Sequence, residues 1–153
     1  MSDASVPPAA PAAPPAPIGA AEASARILDA IPRMSVESIP LTMAGEHVLA
    51  ESVRAKGLFE TALPPRWYLP AEDVRTELLE ASETRTRCAY KGSASYWNAR
   101  VGGRLVEDLV WSYADPEHEA ERVRGLLCFF NELVDLELDG EAVERPRTQW
   151  SRD

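Results

Sequence analysis

Ser93-Ala94-Ser95-Tyr96-Trp97-Asn98-Ala99-Arg100-Val101-Gly102-Gly103-Arg104-Leu105-Val106 reads as two strands joined by a two-residue turn. Side chains of a strand alternate between its faces. One face of 93–101 therefore carries Ala94, Tyr96, Asn98 and Arg100; the other carries Ser95, Trp97, Ala99 and Val101. The second face is the more apolar and is assigned to the core. The first is assigned to a cleft or to solvent. Gly-Gly is a strong hairpin signal, because tight hairpin turns need positive φ. Leu109 to Tyr113 continues the returning strand.

The flanking sequence repeats this pattern of short strands. Val36 to Met43 and His47 to Ser52 flank a turn at Ala44-Gly45-Glu46, and Gly57 to Glu60 makes a further strand. Arg66 to Leu69 is bounded by Pro65 and Pro70, since proline has no ladder donor. Ala71 to Val74 fits one helical turn. Thr76 to Leu79 and Thr84 to Cys88 read as strands around a loop at Ala81-Ser82. Asp115 and Pro116 suit the start of a helix over Glu117 to about Leu127, with Ala120, Val123 and Leu127 as its buried stripe. Val134 to Leu138 and Glu141 to Glu144 close a hairpin at Asp139-Gly140. The expected fold is mostly β: a compact antiparallel domain with one late α-helix. No strand–helix alternation suggests a doubly wound parallel sheet.

Composition sets the boundaries. Residues 1–21 hold six of the thirteen prolines and almost no large apolar side chain, so a disordered Ala/Pro-rich tail is expected there. Residues 22–35 read as a linker or short helix, with Ala20 to Ala30 helical and Pro32 ending it. Residues 36–146 read as a single β-rich domain, and 147–153 as a C-terminal tail that is loose apart from Trp150. The net charge of −9 argues against nucleic acid as a partner, because affinity for phosphate backbones comes from Lys and Arg. The start lacks a secretory pattern, and no apolar run is long enough to span a bilayer. Two cysteines, Cys88 and Cys128, are expected as free thiols in a cytoplasmic protein. They and the two histidines, His47 and His118, do not make a zinc pattern, so no metal and no cofactor are expected. A monomer or weak homodimer with no membrane partner is the expected state.

Several segments carry a resemblance. They are Phe59-Glu60-Thr61, Tyr68-Leu69-Pro70-Ala71-Glu72-Asp73-Val74-Arg75, Cys88-Ala89-Tyr90-Lys91-Gly92-Ser93-Ala94-Ser95-Tyr96-Trp97, Val101-Gly102-Gly103, Trp111-Ser112-Tyr113 and Asp115-Pro116. In order and spacing the chain resembles a small bacterial family, the domain of unknown function 427 family, from about Val36 to about Pro146. The family usually has proline where this chain has Ala89. The resemblance implies a tent-like domain of two antiparallel sheets. It brings no secure activity, although a nucleotidyltransferase label has been attached to it.

That label needs carboxylates converging on a metal. Glu107 and Asp108 are adjacent and point to opposite strand faces; Asp135 and Glu137 share a face but lie far from Gly92-Ser93. The pattern argues against nucleotidyl transfer. Between Cys88 and Tyr113, five aromatics stand with Lys91 and Arg100. Charge and stacking there suit a small anionic or planar ligand. The leading expectation is small-molecule binding in a cleft lined by Tyr68, Tyr90, Lys91, Tyr96, Arg100 and Tyr113, with Glu60 and Asp73 as counter-charges. The alternatives are an enzyme using Lys91 or Cys88 on a small substrate, and a protein-interaction module using a sheet edge. Trp97 and Trp111 are expected in the core.

Overall fold

The structure is a computed structural model that describes residues 26–28, 41–43 and 47–152. Its strands are β1 (Arg26–Leu28), β2 (Leu41–Met43), β3 (His47–Ala50), β4 (Lys56–Phe59), β5 (Arg66–Leu69), β6 (Leu79–Cys88), β7 (Gly92–Val101), β8 (Arg104–Ser112), β9 (Leu127–Phe129), β10 (Asp135–Leu138) and β11 (Glu141–Val143). One sheet runs β1-β4-β5-β9-β8-β7-β6 and the other β11-β10-β2-β3. Every strand pairing is antiparallel. The mostly-β expectation and its two antiparallel sheets hold, as do the hairpins at 102–103 and 139–140; β2 pairs with β3 as expected, and the turn at 44–46 lies outside the described residues.

Alternation sorts the apolar residues of the large sheet onto two faces, and both are buried. Trp67, Leu69, Ala99, Val101, Val110 and Phe129 join Leu49 and Ala50 of β3 and Leu136 of β10 in one core between the sheets. Trp97 packs against that core. On the other face, Leu58, Tyr68, Ala94, Tyr96, Trp111 and Cys128 form a second cluster with Ala120 and Val123. The face assignment for 93–101 is therefore correct at both ends: Val101 is core, Tyr96 turns to the other side and Arg100 is exposed.

Four local expectations are corrected. The late α-helix is a 3-10 helix, His118–Val123. It buries Ala120 and Val123 as expected, but Gly125 at φ +68° turns the chain away. Leu127 then enters β9, where its backbone pairs with both β5 and β8. Pairing on both sides within the sheet outcompetes the helical spacing of one residue. Thr76–Leu78 is 3-10, and β6 runs unbroken from Leu79 to Cys88 with a register shift between Ala81 and Arg85. There Ser82 and Thr84 donate their hydroxyls to Asp108, whose backbone N–H donates to the Asn98 side chain. The helix expected over 20–30 contains a strand instead at Arg26–Leu28, paired with the edge of β4; the rest of it, with the 1–21 tail, lies outside the described residues.

The fourth correction concerns the C-terminal end. Thr148 donates its hydroxyl to Glu132, Ser151 bonds back to Thr148 and Pro146, and Arg152 donates to the Glu107 carbonyl. Residues 146–152 therefore form a pinned strap rather than a loose tail. Among the described residues no helix is long and apolar enough to cross a membrane.

Candidate functional site: an aromatic cleft with two ion pairs

The second cluster has a row that crosses four strands. Tyr68 of β5 stands opposite Cys128 of β9, Cys128 opposite Trp111 of β8, and Trp111 opposite Tyr96 of β7. Two residues further along the same faces come Arg66, Phe130 and Tyr113. Tyr96, Trp111, Arg66, Phe130 and Tyr113, with Glu60, Leu63, Lys91 and Trp150, line a cleft of about 60 Å³.

Lys91 sits in the turn between β6 and β7, and that turn is held from behind. The Lys91 carbonyl accepts the Glu117 N–H at 3.2 Å. Gly92 adopts φ +95°, and a Cβ there would stand 3.2 Å from the Asp115 carbonyl oxygen. Only glycine meets both demands without strain. The turn projects the ammonium of Lys91 onto both Glu60 oxygens, at 2.7 and 2.8 Å. The two side chains are only 15% and 18% exposed, so this is not an ordinary surface pair.

A second pair forms the floor. Arg66 donates from both terminal nitrogens to Glu132, at 2.7 and 2.8 Å. Glu132 has no exposed side-chain surface. The guanidinium lies 5.5–5.7 Å from the ring centres of Trp111, Phe130 and Trp150. Burial alone would raise the Glu132 pKa, but the Arg66 hydrogen bonds and charge, with Thr148, hold it below the usual carboxylate range.

The tyrosines supply neutral polar groups. Burial pushes the Tyr113 hydroxyl well above the ordinary phenol range, and it makes no hydrogen bond among the described residues. The Tyr96 hydroxyl is also raised by burial and shares a 2.8 Å hydrogen bond with Thr86. Both remain protonated at neutral pH.

The structure brings together Glu60, Lys91, Tyr96 and Tyr113 of the expected residues. Tyr68 is fully buried beneath the cleft, where its hydroxyl accepts the Trp111 indole N–H at 3.2 Å. Tyr90 is half-buried in the turn and is not among the lining residues. Arg100 is bound to Glu80 on the solvent side. Asp73 accepts from Ser52 and Arg54 and serves that loop rather than Lys91. Trp111 is buried as expected, yet it also forms a cleft wall.

Arg66, Phe130 and Trp150 were not foreseen. Arg66 was within reach of the sequence, since a strand that turns Tyr68 to one face turns Arg66 there too. Phe130 follows Cys128 by the same rule once β9 is known to be a strand. Trp150 carried only one signal, a large ring in a polar end segment.

Cys128 is buried and its thiol is raised by that burial, which leaves it a packing residue. Cys88 is half-buried at the end of β6, and both thiols are free. The acids weighed for phosphate chemistry do not converge: Asp108 is taken by Ser82 and Thr84, and Asp135 by Arg145 in the other sheet. Among the described residues no group of three or more His, Cys, Asp or Glu stands close enough to hold a metal ion.

A family model described as a domain of unknown function (DUF427) matches residues 34–140, most of the chain. No curated protein matches it.

Proposed function

The chain belongs to the DUF427 family, and on that premise we propose that it binds a small molecule in the cleft between Lys91, Tyr96, Tyr113 and Trp111. The observation that carries this reading is convergence. Four polar side chains from separate strands and turns, Glu60, Lys91, Tyr96 and Tyr113, meet on one concave surface walled by aromatic rings. Concave apolar walls with a few convergent polar groups are the usual anatomy of a ligand site. The Tyr113 hydroxyl supports it further, as a donor inside the cleft without a partner among the described residues.

Binding is favoured over catalysis because both oxygens of Glu60 occupy the Lys91 ammonium, which suits positioning more than attack. A cytoplasmic setting is part of the same proposal, supported by two free thiols.

The test is a melting curve with and without a small-metabolite extract of the protein's own host, run on the wild type and on Tyr113→Phe. The wild type is expected to gain melting temperature, because a ligand that binds only the native state stabilises it. The variant, which loses one hydroxyl, is expected to gain little. Equal gains in both proteins, or none in either, overturn the reading. Native mass spectrometry of the host-purified protein would identify the ligand.

A further inference from the structure

We infer that the group bound in the cleft is electrically neutral, smaller than a benzene ring, and amide-like, presenting a carbonyl and an N–H together. The inference rests on the reading just given, that the cleft binds a small molecule.

Charge is the first argument. Two cations reach the cleft, but each already has a carboxylate bound through two contacts of 2.7–2.8 Å. The charges of Glu60, Lys91, Arg66 and Glu132 cancel. An anionic ligand would have to displace Glu60 from Lys91 or Glu132 from Arg66, and would leave a poorly solvated carboxylate without its cation. A cationic ligand meets the converse problem. Its carboxylate partner is taken, and the faces of Trp111, Phe130 and Trp150 are already turned to the guanidinium of Arg66.

Size is the second argument. A cavity of about 150 Å³ holds benzene, and each water needs about 10–15 Å³. At about 60 Å³ the cleft holds roughly four to six water positions. That suits a group of a few non-hydrogen atoms, or the tip of a longer molecule.

Hydrogen bonding is the third argument. Two N–H groups of Lys91 serve Glu60, and the third has no acceptor among the described residues. The protonated Tyr113 hydroxyl adds a second donor. The Glu60 side-chain oxygens, which among the described residues receive only Lys91, keep lone pairs for an incoming N–H. Donors and acceptor in one small space match a carboxamide or urea group.

Acetamide, acetate and acetamidinium have nearly one shape and three charges. Each would be titrated into the full-length, ¹⁵N-labelled protein while the indole N–H signals of Trp111 and Trp150 are followed by NMR. Acetamide is expected to move both signals saturably and to bind at least about tenfold more tightly than either ion, a preference of about 1.4 kcal/mol. The shifts should vanish in Tyr113→Phe. If acetate or acetamidinium binds as well as acetamide, the neutral-ligand inference is overturned while the cleft remains a binding site. If no probe moves the signals, the inference also falls; should the metabolite-extract experiment give nothing either, the binding reading falls with it.

Discussion

Replacing Glu132 by Gln keeps shape and one carbonyl oxygen but removes the negative charge under Arg66. Neither side chain has an easy route to water, at 8% and 0% exposure. Removing one member of a buried ion pair costs about 3–5 kcal/mol, because the other charge is left without compensation. Two features reduce that figure here. Gln still accepts one of the two Arg66 hydrogen bonds, and three aromatic rings face the guanidinium, each worth about 0.5–1 kcal/mol or more. The expected loss is about 3 kcal/mol, or about 12 °C of melting temperature for a domain of this size. Urea unfolding followed by tryptophan emission measures it, since Trp111 and Trp150 flank the pair. Arg66→Met with Glu132→Leu should recover at least half of the loss, as apolar replacements of buried pairs commonly do. The variant also tests acid behaviour. A carboxylate held below its unfolded value stabilises the fold above the usual carboxylate range, and that contribution is lost as pH falls through the lowered value. Glu132→Gln should lack this part of the acid sensitivity. A loss below about 1 kcal/mol would refute the reasoning, because it is what a solvated surface pair gives.

Gly92→Ala should lose about 2 kcal/mol, from positive φ and from the approach of Asp115; a loss under about 0.5 kcal/mol in urea unfolding would mean that the turn adjusts freely. Lys91→Ala should cost about 1–2 kcal/mol by leaving Glu60 without its cation, and the same change in a Glu60→Gln background should cost clearly less. Equal costs in both backgrounds would show that the pair carries no coupling. In native protein a thiol reagent should modify Cys88 readily and Cys128 only after unfolding; fast reaction at both sites would contradict the packing of Cys128.

What the sequence revealed and what it hid follow from range. Period-two patterning and Gly or Asp-Gly turns are local signals, so β5, β7, β8 and the hairpins were legible within a residue or two. Glu60 with Lys91 was read as a charge match. Tyr68 was expected to line the cleft and lies beneath it instead, because depth depends on what covers a face. Arg100 and Asp73 found partners, Glu80 and Arg54, that charge alone could not select among many acids and bases. The end of the 3-10 helix was misjudged because spacing records amphipathicity, whereas β9 answers an unfilled place between β5 and β8. Trp150 meets Phe130 through a strap whose hydrogen bonds leave no periodic trace.

The placing of β9 between β5 and β8 also gives the cleft a position in time. β6, β7 and β8 are joined by short turns and can pair as a local meander. Arg66 and Glu132, in contrast, are separated by 66 residues, and so are Lys56 and the Arg122 carbonyl it holds. Joining such distant segments costs loop-closure entropy before any contact rewards it. The meander can therefore exist before the binding site does. The cleft arises when the two halves of the sheet meet, and changes to its ion-paired floor should act mainly on how fast the finished protein opens, with less effect on how fast it forms.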